Sequence, residues 1–170
     1  MDTATTTTTR RATVVAVLAL IAVTALTGRA AAHLLAHADP DDTTAPFDIA
    51  SARLERDGAN LVATVRTYEV MRDRHFQTGD AILAEFDSRG DGRGDFTLRL
   101  EYYEGAYPYC SLYDAQGFSV AGGTATKGRR SMTCQFQRSD LDITRHIRWR
   151  VSTSTYGDPD RAPDRGWYGH

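Results

Sequence analysis

The stretch Phe96-Thr97-Leu98-Arg99-Leu100-Glu101-Tyr102-Tyr103 alternates apolar and polar side chains with a period of two. Successive side chains of an extended strand point to opposite faces, so Phe96, Leu98, Leu100 and Tyr102 face a core and their neighbours face water. The same pattern recurs on both sides of it. Upstream, Phe47 to Leu54 leads into the hairpin signal Asp57-Gly58, after which Leu61, Ala63, Val65 and Thr67 alternate with Val62, Thr64 and Arg66. Ala81 to Phe86 is a compact apolar strand interrupted by Glu85. Downstream, Tyr107 to Tyr113 closes at Asp114-Ala115-Gln116-Gly117, and Phe118 to Thr126 turns at Lys127-Gly128. Met132, Cys134 and Phe136 share an inward face, and Ile147, Trp149, Val151 and Thr153 oppose Arg148, Arg150 and Ser152. About eight strands with turn signals between them predict an all-β fold: an antiparallel two-sheet sandwich, jelly-roll-like, with a small barrel as the alternative.

The domain is expected over residues 47–156, behind an acidic, proline-bearing flexible leader at 39–46. Residues 157–170 are expected as a loop that either packs through Trp167 or frays. Cys110 shares parity with Leu112, and Cys134 with Met132 and Phe136. As the only two cysteines of a chain expected in an oxidising compartment, they are expected to pair on the core side of the strands.

That compartment is inferred from the N-terminus. Arg10-Arg11 precede an uncharged run, Ala12 to Leu26, which is short for a membrane span of roughly 20 residues. Small residues follow at Gly28, Ala30-Ala31-Ala32 and Ala36-His37-Ala38. Basic, apolar and small-residue regions in that order make residues 1–38 a secretory signal, cut after Ala32 or after Ala38. The expected location is extracellular; the alternative is a membrane anchor formed by residues 12–27 if the signal stays uncut. Removing residues 1–38 takes away Asp2 against Arg10, Arg11 and Arg29, so the net charge of −2 becomes about −4. That balance supplies no basic footprint for nucleic acid.

One loop carries a chemical pattern. In Asp87-Ser88-Arg89-Gly90-Asp91-Gly92-Arg93-Gly94-Asp95, carboxylates stand at relative positions 1, 5 and 9, with glycine at 6. Ca²⁺ takes six to eight oxygens, and glycine permits the sharp turn that brings alternate carbonyls inward. Asp87, Asp91 and Asp95 are therefore candidate Ca²⁺ ligands. Arg89 stands at position 3, where an acid would be expected, and Leu98 at position 12 in place of glutamate. The competing reading is a glycine-rich connection whose aspartates cap backbone amides.

Three motifs carry a resemblance: Pro46-Phe47-Asp48-Ile49, then Phe86-Asp87 through Gly90-Asp91-Gly92 to Asp95, and Ala162-Pro163-Asp164-Arg165-Gly166-Trp167. They resemble secreted actinobacterial proteins of unknown function, whose domains are similar to calcium-bearing family-nine carbohydrate-binding modules. The resemblance implies a ligand-binding sandwich and carries no activity with it.

The run Tyr102-Tyr103, Tyr107, Tyr109 and Tyr113 suits stacking against sugar rings. Tyr103, Tyr107 and Tyr109 are the candidate ligand-binding residues, since Tyr102 shares parity with Leu98 and Leu100. The repeated Arg-Gly-Asp at 89–91 and 93–95 is expected from composition alone. No histidine has zinc-like company, and no serine sits in a G-x-S-x-G elbow. The expected function is a secreted, non-enzymatic domain that binds a glycan or another cell-surface ligand, with Ca²⁺ as a stabilising cofactor. The alternatives are a small inhibitor or protein-binding module using Arg72 to Gln77, and a hydrolase with a scattered site.

Overall fold

The computed structural model describes residues 36–44, 46–76, 80–102, 107–141, 147–154 and 159–169. Residues 1–35 of the expected signal segment 1–38, and Tyr103, lie outside these residues. Among the described residues no helix is long and apolar enough to cross a membrane.

The fold is all-β. Eight strands of six to nine residues form its body: β2 (Ile49–Asp57), β3 (Asn60–Thr67), β4 (Ala81–Asp87), β5 (Phe96–Glu101), β6 (Tyr109–Asp114), β7 (Ser119–Lys127), β8 (Ser131–Gln137) and β9 (Arg148–Ser154). Two-residue strands, β1 (His37–Ala38) and β10 (Arg161–Ala162), sit at the ends. The strands predicted from periodicity appear at the predicted places, and Gly58 turns the first hairpin with φ +61°.

All pairs are antiparallel and form one sheet in the order β1-β2-β3-β8-β7-β6-β5-β4-β9-β10. The two layers expected of a sandwich are present but share a strand. The N-terminal half of β7 pairs with β6 up to Gly123, and its C-terminal half pairs with β8 from Thr124 onward. The sheet folds over at β7, so that Phe86 of β4 meets Phe136 of β8 across the core, ring centres 5.7 Å apart. Leu54, Leu61, Val65, Ile82, Leu98, Leu112, Met132, Trp149 and Val151 fill the space between, all buried. Their alternation along each strand is the period-two pattern realised as one core.

Cys110 of β6 and Cys134 of β8 are joined by a disulfide that bridges over β7, the strand between them. The bridge passes directly above Gly123. A Cβ there would lie 2.7 Å from Cys134 Sγ and 2.8 Å from Cys110 Sγ. The place where the sheet changes layers thus has a glycine because two sulfurs occupy the space.

The two ends of the sheet come back together without a strand ladder between them. β2 packs against β9 and β10, and the Ile49 amide donates to the Asp160 carboxylate at 2.5 Å. The leader and the tail make this seam. β1 pairs with β2, and the His37 ring stacks on Tyr168 at 3.8 Å. Tyr168 exchanges two backbone hydrogen bonds with Trp149. The tail is also held through Trp167, over which the Arg150 guanidinium lies at 4.4 Å. Asp39, expected within a flexible leader, is buried, its amide donating to Ala50 O and its carbonyl accepting from the Tyr68 hydroxyl. Of the two expected cuts, only the one after Ala32 leaves β1 in the product.

Candidate functional site

Three regions among the described residues bring together polar side chains that bear on function. The first is the loop between β4 and β5. Asp87 is wholly buried, and its carboxylate accepts amides from Gly90 (2.6 Å), Asp91 (3.1 Å) and Gly92 (2.9 Å). Arg148 on β9 adds its Nε at 2.9 Å and a terminal nitrogen at 2.5 Å. Five donors use the lone pairs a carboxylate offers. Asp95 accepts the Ser88 amide and hydroxyl and the Arg89 amide, and pairs with the Arg89 guanidinium. Asp91 accepts the Arg93 amide at 2.9 Å. Burial opposes the charge of Asp87 and Asp95, and these bonds together outweigh it and lower both below the ordinary carboxylate value. The three aspartates proposed as Ca²⁺ ligands thus point at the amides of their own loop. Gly90 and Gly92, both at positive φ, let the backbone coil around Asp87.

The second region is the outer face of β4, β5 and β6. A shallow groove of about 530 Å³ crosses it, floored by Leu83, Glu85, Thr97, Arg99 and Tyr113, with Gly94 on one bank and the Ala115–Gly117 turn on the other. Arg99 pairs with Glu101 at 2.8 Å, and Glu85 receives Arg150 Nε at 2.7 Å. Tyr109 opposes Glu101 and Tyr113 opposes Thr97 in the β5–β6 register. The two tyrosines therefore share the outer face of β6, about 14 Å apart along the strand. Of the three candidate ligand-binding tyrosines, Tyr109 is here, Tyr107 lies just ahead of β6 and is 91% exposed, and Tyr103 is outside the described residues. Tyr113 completes the face. Its two-residue parity with Tyr109 and Ser111 was the available signal.

The third region, at the seam, was not anticipated. Oxygens of Asp42, Asp48 and Asp160 lie within 4.8 Å of one another, with Asp39 close enough to act on Asp48 and Asp160. Asp48 is 2% exposed, and neither of its carboxylate oxygens has a hydrogen-bond partner of ordinary geometry. The Asp41 carboxyl and the Thr43 amide both lie close enough to act on it, the first favouring its protonated form and the second its charged form. Asp160, also buried, accepts the amides of Ile49 and Arg161. Burial first, and then the neighbouring aspartates, push Asp39 up to about 7. Burial, followed by Asp41 and Asp160, pushes Asp48 up to about 6. Among the described residues, the largest side-chain charge effects on Asp39, Asp48 and Asp160 come from other carboxylates.

The other expected surface, Arg72 to Gln77, contains a single 3-10 turn at Asp73–His75, with Asp73 paired to Lys127 at 3.0 Å; Gln77 lies outside the described residues. No family model matches this chain, and no curated protein or solved structure compared with it does so either.

Proposed function

We propose that this chain is an exported, non-enzymatic binding domain that holds a glycan of a cell surface against the outer face of β4–β6. The observation that supports this most is the groove itself. Tyr113 stands on its floor, Tyr109 lies further along the same strand, and the Arg99–Glu101 and Glu85–Arg150 pairs lie on the same face. A sugar ring presents an apolar face to an aromatic ring and hydroxyls at its rim to planar polar groups, and a site of this kind needs only a few such groups placed by a rigid sheet. Both tyrosines are carried on a strand whose opposite face is locked into the core by Cys110 and Leu112.

A glycan array probed with the purified protein tests the reading. Retention is expected, and Tyr113→Ala and Tyr109→Ala should each weaken it about fivefold, the equivalent of about 1 kcal/mol per ring. Absence of retention on every glycan, or retention unchanged in the double variant, would remove the proposal. A protein partner is the second reading, favoured by the exposure of Phe118 (70%) and Val120 (49%) at the β6–β7 turn. Pull-down that depends on Phe118 and is indifferent to Tyr113 would select it.

A further inference from the structure

The seam contains an arrangement that the chain's own groups do not complete. Asp48 arrives from the residue before β2, Asp160 from the residue before β10, and Asp42 from the leader that runs between β1 and β2. Asp160 already ties the two ends of the sheet through the Ile49 amide. Asp48, on the other side, brings two buried oxygens with no partner of ordinary geometry into the same cluster. A buried, ionised carboxylate needs either a proton, hydrogen-bond donors or a cation, and leaving it bare is costly. Among the described residues, the largest side-chain charge effects on Asp48 come from the carboxylates of Asp160 and Asp41.

We propose that Asp42, Asp48 and Asp160 bind a hard divalent cation of the Ca²⁺ class, which clamps the two ends of the sheet at the seam. The donor set is all oxygen, as a hard ion requires. Two ligands on one Ca²⁺ can be no further apart than twice a bond of 2.3–2.6 Å, about 5 Å, and the three donor oxygens lie within 4.8 Å of one another. Asp42 is exposed, so the ion has a path in from solvent, and waters complete its shell on that side. The donors come from both ends of the chain, so the ion stabilises the closed sheet over any form in which the seam has opened. This assignment is independent of the glycan reading, and its test uses no glycan.

The test is a calcium titration of the purified chain, first stripped with chelator, followed by thermal unfolding and by Tb³⁺ emission. Tyr68, whose hydroxyl bonds Asp39, is placed to sensitise Tb³⁺ at the seam. A hundredfold excess of Ca²⁺ over its Kd should raise the folding constant about a hundredfold, and Ca²⁺ should displace the sensitised Tb³⁺. Asp48→Asn, which removes an unpartnered buried charge and is expected to fold, should weaken both responses at least tenfold. The exposed Asp42→Asn should weaken them in the same direction, and Asp91→Asn should leave them unchanged. The proposal is overturned if wild type shows neither a calcium-dependent midpoint nor Tb³⁺ emission. It is equally overturned if Asp91→Asn abolishes them while Asp48→Asn does not.

Discussion

Asp87 and Asp48 are both buried aspartates, and their surroundings make them opposites. Asp87 has three amides and a guanidinium, so its charge is stabilised in the fold. Removing Arg148 would leave it buried and unpaired, and Arg148→Met should cost about 3 kcal/mol, read as a lower urea midpoint at unchanged m. The pH dependence follows from the direction of each shift. Asp87 and Asp95 titrate lower in the fold than when unfolded. Their contribution is present above about pH 4 and is lost as pH falls through the depressed values. Acid unfolding should therefore set in below about pH 4, and at higher pH in Arg148→Met. Asp39 and Asp48 behave in reverse, with folded values of about 7 and about 6. The stability they confer when protonated is full below about pH 4 and is lost as pH rises through those values. In chelator, the chain should melt higher at pH 5 than at pH 8, and Asp48→Asn should recover on the order of 1–3 kcal/mol at pH 8. A midpoint that falls steadily from pH 8 to pH 5 in chelator would contradict this account of the seam.

At the scale of the strands, period-two alternation placed β2, β3, β5, β8 and β9, each with a buried face that a slip of one residue would turn outward, while the apolar run of β4 and the turn signals beside β6 and β7 placed the others. Parity also placed both cysteines inward, as the structure has them. The sharing of β7 between two layers was not legible, because Gly122-Gly123 reads as a weak point in a strand and not as the fold line of a sheet. The two glycines now separate cleanly. Gly123→Ala drives a methyl into both sulfurs and Gln135 O and should cost about 1–3 kcal/mol. Gly122→Ala meets nothing within 4 Å and should stay within about 1 kcal/mol. Thermal midpoints of the pair, measured side by side, check this; equal effects would mean that the disulfide does not cross where it is described. The Asp87–Asp95 loop shows the limit of motif spacing. Carboxylates at positions 1, 5 and 9 suit an ion and suit amide capping equally well, and the amide bonds of the loop are joined by Arg148, 61 residues away, which the spacing does not announce, and by Arg89 within the loop.

For the whole molecule, the physical consequence of the topology is a sheet that nearly closes, its ends meeting through side chains and not through a ladder. The strands β4, β5 and β6 are interior, each paired on both sides, which suits a rigid binding surface on their outer face. The seam lies where the pairing stops. Sequence reading could not assemble it, since Asp42 belongs to a stretch that looks like a leader, Asp48 to the start of the first strand pattern and Asp160 to a stretch that looks like a tail. The bond from Ile49 to Asp160 spans 111 residues. The most direct test of this picture is residue-resolved amide hydrogen exchange, in calcium and in chelator. The amides of Asp39, Ile49 and Thr153 at the seam should exchange faster than the β5–β6 ladder in chelator and slow at least tenfold when Ca²⁺ is added, while the β5–β6 amides change little. Seam amides that exchange at the same rate in both conditions would contradict a sheet clamped there by a cation.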